Sequence, residues 1–97
     1  MGWMPVSPWK IGKSQDVAIG ASSTVSTNAF GSATKAVAIS VTSACRIDIG
    51  PSPVATATST LLNAGVGPVL FGCGEGDKIA VIQESASGKL NVTELSH

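Results

Sequence analysis

An all-β fold is what this sequence predicts: an antiparallel β-sandwich or jelly-roll-like barrel of about seven or eight short strands, with an extended N-terminal arm. Three observations point there. The stretch Ala36–Gly50, AVAISVTSACRIDIG, sets Val37, Ile39, Val41, Cys45, Ile47 and Ile49 at odd positions, with Ser43 the polar exception. Its even positions hold Ala38, Ser40, Thr42, Ala44, Arg46 and Asp48. Side chains alternate across a strand with period two, so the apolar edge faces a core and the other faces water or a partner. Turn chemistry recurs about every eight to twelve residues, and no segment carries convincing helical periodicity. Hydrophobic residues make up 43% of the 97, but with only 4% aromatics they are mostly small or β-branched, which suits strands.

Residues 1–13 read as an arm, leaving 14–97 as a single β domain with room for one core. Pro5 and Pro8 forbid a regular helix and a central strand there. Trp3, Met4, Val6, Trp9 and Ile11 are nonetheless large and apolar, and both tryptophans of the protein sit in this arm. Such residues either cap their own core or anchor the arm on a neighbouring subunit. Asp16–Ala21 is expected as a short strand with Val17 and Ile19 inward. Thr24–Phe30 is expected as another, with Val25 its main apolar member. Gly31–Thr34 is a loop. The Ala36–Gly50 stretch is then one long strand, or two joined by a bend near Thr42–Ala44, and Pro51 and Pro53 end it.

Val54–Thr60 suits an edge strand or an extended connection, while Leu61, Leu62 and Val66 suit a turn that plugs one end of the core. Pro68–Cys73 is expected as a short strand carrying Phe71, and Gly74–Asp77 as a tight turn. Lys78–Gln83 has Ile79 and Val81 on one face and Ala80 and Ile82 on the other, the pattern of a strand covered on both sides, either central to a sandwich or at a subunit contact. Glu84–Gly88 is expected to close a hairpin onto Lys89–Leu95, with Leu90 and Val92 inward and Asn91 and Thr93 outward.

Charge excludes several functions. Charged residues are 12%, against about 25% in an average soluble domain, and the formal net charge is zero. A nucleic-acid binder needs a basic stripe to neutralise phosphates, and none is present. A near-neutral surface, with Ser and Thr where Lys and Glu usually stand, tends to associate, which points to a permanent assembly, the alternative being a Ser/Thr-rich monomer. No apolar run approaches the roughly 18 residues of a membrane span. MGWMPVSPWKIGK has no basic leader followed by an apolar segment, so no secretory signal is expected. Cys45 and Cys73 have no CxxC spacing and lie in apolar strand patterns, which predicts buried free thiols.

Chemistry is equally sparse. His97 is the only histidine and the last residue, which leaves a Ser–His–Asp arrangement without a base and a histidine metal site without a ligand set. Gly12-Lys13-Ser14 resembles the end of a phosphate loop, but Ser7 stands where the upstream glycine is required. Ser32–Lys35 spells S-x-x-K on a loop, not at a helix start. Gly74–Asp77 is a single turn without the stacked copies of a calcium-binding repeat. Asp16, Asp48, Glu75, Asp77, Glu84 and Glu94 are scattered, each assigned to a turn or a solvated edge. The expectation is a protein that is not an enzyme, with no catalytic residue, cofactor or metal.

Two segments carry a family texture: SACRIDIGPSPVATATST leading into LLNAGVGPVLF, and the terminal GDKIAVIQESASGKLNVTEL. From Ala36 to Leu95 the chain resembles the small structural proteins of tailed bacteriophages that decorate or cement the capsid. The resemblance implies a β-sandwich or jelly-roll-like body, assembled as a homotrimer or homodimer at capsid symmetry axes. It implies the major capsid protein as partner, a place on the capsid exterior of the virion, and the host cytoplasm during assembly. Many copies on a repeating lattice then gain avidity without any strong single contact. The candidate capsid or subunit contacts are Trp3, Met4, Val6, Trp9 and Ile11 of the arm, with Arg46 and Asp48 on the polar edge of the central stretch. The chain departs from that pattern in its short length and in the Cys73-Gly74 turn, which leaves the attachment site open. The alternative is a tail- or fibre-associated β-sandwich module that grips a glycan or protein. That role wants aromatic platforms on the sandwich, whereas the tryptophans are confined to the arm and there is no tyrosine.

Overall fold

The computed structural model describes residues 10–65 and 68–96, and within them it contains eight strands and no helix. The strands are β1 (Lys10–Ile19), β2 (Thr24–Val25), β3 (Ala36–Val41), β4 (Cys45–Gly50), β5 (Thr60–Leu62), β6 (Val69–Gly72), β7 (Lys78–Gln83) and β8 (Gly88–Ser96). They form two antiparallel four-stranded sheets, ordered β1-β8-β3-β6 and β2-β7-β4-β5. Every connection but β4–β5 crosses from one sheet to the other. That order is the eight-stranded jelly roll.

The central stretch explains how the crossing works. It is two strands, joined by the bend at residues 42–44, and they lie in different sheets. The odd-numbered phase survives the bend, so Val37 and Ile39 point into the interior from one sheet and Cys45 and Ile47 from the other. Val17, Ile19, Phe30, Leu62, Ile79, Val81, Leu90 and Val92 complete the core. Full burial of an aliphatic side chain of this size contributes about 1.5–3 kcal/mol. A dozen such contacts hold the layers together.

Several expectations need correction. The stretch 84–88 does not close a hairpin. β7 is flanked by β2 and β4, whereas β8 is flanked by β1 and β3. Alternation identifies which side chains point inward but not which strand lies alongside, and a Ser/Gly-rich linker serves an arch between sheets as well as a hairpin. The 84–88 arch packs beside the 42–44 bend. Ser43 Oγ donates to Ser87 O (2.8 Å), Lys89 N to Thr42 Oγ1 (2.8 Å) and Glu84 N to Ala44 O (3.1 Å). Gly88 is required there, because a Cβ would lie 2.5 Å from Thr42 Oγ1 and 2.7 Å from Ser43 Oγ.

Strand β1 also starts earlier than expected. Residues 10–13, read as the end of the arm, are its first part, with Lys10 opposite Ser96 and Ile11 opposite Leu95. In the Thr24–Phe30 segment only Thr24–Val25 is strand, and Val25 is 41% exposed. The inward members are Ser26 and Phe30. Leu61 and Leu62 are strand rather than turn: Leu62 does fill the core, while Leu61 opposes Arg46 on the outer face. Val66 lies outside the described residues. Residues 53–56 cross without forming a strand, and 56–59 close a turn, Ser59 N donating to Thr56 O (3.1 Å), before β5 begins at Thr60.

Candidate interaction surface

The outer face of the β2-β7-β4-β5 sheet carries Arg46 and Asp48, the two contact candidates from the polar edge. Both have intramolecular partners. Arg46 forks onto Glu84, Nε to Oε1 and Nη2 to Oε2 at 3.2 Å each, and its Nη1 donates to Ser59 O (3.2 Å). The pair thus ties β4 to the end of β7 and to the connection before β5. Being partly solvated, with side chains 24% and 39% exposed, it contributes at most about 1 kcal/mol. Asp48 Oδ2 accepts from Val54 N (3.2 Å), and Ser23 Oγ accepts from Ala55 N (3.0 Å). Asp48 and Val25, the latter two residues beyond Ser23, flank Ala80 on either side. The 53–55 segment therefore crosses over Ala80, which is fully buried, as are Pro53 and Ala55. This is the cover expected over the second face of β7. Val54 is left pointing outward, 63% exposed.

The outer face of the other sheet is polar without being highly charged. Asn91 Nδ2 donates to Asp16 Oδ1 (3.0 Å), Thr93 Oγ1 donates to Asn91 Oδ1 (3.0 Å), and the Ser14 and Thr93 hydroxyls share a bond of 2.5 Å. Ala38 and Ser40 of β3 continue this face beside Thr93 and Asn91. Ile11, the one arm candidate within the described residues, is 80% exposed at the start of β1. Trp3, Met4, Val6 and Trp9 lie outside the described residues.

A residue assigned to a solvated edge proves to be buried. Glu94 is 7% exposed, on the inward phase of β8 shared with Leu90 and Val92. Its Oε1 accepts from Gly31 N (2.9 Å) and Thr34 Oγ1 (2.5 Å), so it holds the 31–34 turn against the end of the sandwich. Gly12 and Lys13 together face Glu94 in a β-bulge, the register shift between Ile11 and Ser14. A Cβ on Gly12 would lie 3.2 Å from Glu94 O. An open cleft of about 510 Å³ lies here, lined by Lys13, Asn28, Ser32, Thr34 and Glu94 among others. The one local signal for this carboxylate is that Leu90-x-Val92-x-Glu94 keeps it on the inward phase.

Both thiols are free, but of the two expected to be buried only Cys45 is. Cys45 is fully buried and Cys73 partly so. Burial pushes the Cys45 thiol from an ordinary 9.0 up to about 11. Cys73 is raised by burial first and then by the Asp77 and Glu94 charges. An unfolded chain releases these protons near the ordinary value, whereas the fold retains that of Cys45 until about 11. Between those values the unfolded state binds fewer protons, so stability falls as pH rises. Urea midpoints should therefore drop between pH 8 and 10.5, and Cys45→Ala should flatten part of that drop. An unchanged slope in Cys45→Ala would remove the thiol as its source.

Among the described residues no three His, Cys, Asp or Glu side chains gather as a metal site, and no helix is long and apolar enough to cross a membrane. Compared with protein-family models, curated proteins and solved structures, the chain matches none.

Proposed function

We propose that this chain is a non-enzymatic capsid decoration or cement protein of a tailed phage, which binds the major capsid protein lattice and stabilises the expanded head. The observation that carries this reading is a jelly-roll body whose broad outer face is a low-charge field of Ser, Thr, Asn and Ala. Such a surface is suited to tiling against copies of itself and a repeating shell. Its architecture is one that capsid proteins share with lectins and cupins, so the fold by itself favours no one of them. The exposed large apolar side chains of the described residues are aliphatic, which weakens the glycan-gripping alternative. The working form is a homotrimer or homodimer on the outside of the virion, assembled in the host cytoplasm.

Co-sedimentation with expanded capsids tests this. The full chain should saturate the shell, and deletion of residues 1–9, which leaves β1 whole, should keep the strand spectrum while lowering occupancy at least tenfold. Unchanged occupancy would remove the arm from the mechanism. Binding to tails or fibres alone, or no binding by the full chain, would overturn the capsid reading.

A further inference from the structure

Among the described residues four strand edges border the two sheets, and three are blunted. β1 carries Lys10, Lys13, Asp16 and the bulge at Gly12–Lys13, β2 has two residues and β5 three. Charge, bulges and brevity are the devices that keep an edge from pairing with another chain. β6, four residues long, has no charge and no bulge: Val69, Leu70, Phe71 and Gly72 are all apolar, and Leu70 is 50% exposed.

The hydrogen-bond phase tells which groups of β6 are free. Cys73 N donates to Lys35 O (3.3 Å), in register with the pairs Val37–Phe71 and Ile39–Val69. On the far side of β3, Thr42 N donates to Lys89 O (2.9 Å), so even-numbered residues of β3 bond to β8 and odd-numbered ones to β6. Bonded and non-bonded pairs alternate along an antiparallel ladder. Val69 and Phe71 therefore turn their backbone groups toward β3, and Leu70 and Gly72 turn theirs to the open edge. A Cβ on Gly72 would meet nothing within 4 Å.

We propose that β6 is the pairing edge of a two-fold homodimer, with β6 of one copy antiparallel to β6 of the other. Two four-stranded sheets then become one continuous sheet. In the register centred on Phe71, Leu70 of each copy stands opposite Gly72 of the partner subunit. Every outward N–H and C=O of these residues then finds its complement. This register also omits Pro68, which has no N–H to offer.

Opposed residues keep the same face, as a continuous sheet requires. Phe71 meets Phe71 of the partner subunit on the inner side, beside an open cleft of about 190 Å³ lined by Ile47, Asp48, Ile49 and Thr60. Cross-strand aromatic pairs favour such a contact. A two-fold interface must be self-complementary. β6 meets that condition because it sets no charge against its own copy, and a formal net charge of zero leaves little repulsion between copies. The proposal selects the dimer over the trimer and does not depend on capsid binding.

Sedimentation equilibrium over a hundredfold concentration range tests it, with site-resolved amide exchange on the same samples. The expected result is a reversible shift from 9.7 kDa to twice that mass, with the Leu70 and Gly72 amides slowing as the dimer forms. Leu70→Lys sets like charges on the shared edge, and Leu70→Pro removes an outward donor without touching the bond to β3. Each should weaken dimerisation at least tenfold while the strand spectrum persists. A monomer at all concentrations would overturn the proposal, as would an oligomer whose Leu70 and Gly72 amides exchange freely. The exchange readout uses the unsubstituted protein, so it decides the question even if a variant fails to fold.

Discussion

Ile39→Asp is expected to yield no folded domain at 25 °C. Ile39 is 1% exposed on β3, and Val81, fully buried on β7, faces the same interior from the opposite sheet. A carboxylate there has no cationic partner, because the interior it enters is built from aliphatic side chains, Phe30 and a neutral thiol. Leaving one charge unpaired in such a core costs roughly 3–5 kcal/mol. A small domain has about 5–15 kcal/mol in total, and one of this length sits toward the low end. Val81→Asp should behave alike. Ser40→Asp, one residue along on the half-exposed outer face, should change stability by only about 0.5 kcal/mol. Circular dichroism and proton-NMR dispersion separate the cases. A soluble, well-dispersed Ile39→Asp would mean that the inward face of β3 is misassigned.

Glu94→Ala is expected to produce the second-largest loss, for the opposite reason. Here a buried polar group already has its partners, and removing it strands them. Gly31 N–H and the buried Thr34 hydroxyl would both lose their acceptor. An unsatisfied buried donor costs about 1–3 kcal/mol; the Thr34 hydroxyl is buried, whereas Gly31 is exposed and its N–H can turn to water, so a loss of about 2–3 kcal/mol is expected. Glu94→Gln keeps a carbonyl acceptor in the same place and should lose only about 1 kcal/mol. Denaturant midpoints at constant slope make the comparison. Equal losses in the two variants would show that the acceptor oxygen is not what secures the 31–34 turn.

These two residues also mark how far the sequence could be read. Ile39 was legible because its neighbours at two-residue spacing, Val37 and Val41, are β-branched and large, while the residues between them, Ala38 and Ser40, are small. The same rule found Val17, Ile19, Leu90 and Val92, but it left open whether the central stretch runs on as one strand or bends at Thr42–Ala44, because the inward phase continues unbroken through the bend. Glu94 sits on that rule as well, but a carboxylate beyond two inward aliphatics reads naturally as the end of the buried row. Only the turn at Gly31–Thr34, brought in from 60 residues away, makes its burial possible. Strand adjacency was not legible. Nothing local in ESASG separates an arch from a hairpin, since that choice is made by distant strands: β8 fills the place between β1 and β3 rather than lying beside β7. Arg46 and Asp48 show the converse limit: both were correctly read as outward-facing, yet their partners, Glu84 and the Val54 amide, come from other parts of the chain. The low-charge outer faces followed directly from composition, and composition says nothing of which edge lacks a guard.

The pairing of β1 with β8 has a kinetic consequence. Asp16 and Asn91, joined on that ladder, are 75 positions apart in the chain, and the six connections that cross between the sheets delay reward in the same way. Contacts so distant form only after large loops have closed, so the domain should reach its native state over roughly milliseconds to seconds rather than microseconds. During that interval the Val- and Ile-rich segments are exposed and prone to stick to one another. A low-charge chain has few means of repelling its neighbours then. The blandness that suits the finished body to dense packing therefore makes its refolding yield strongly dependent on dilution.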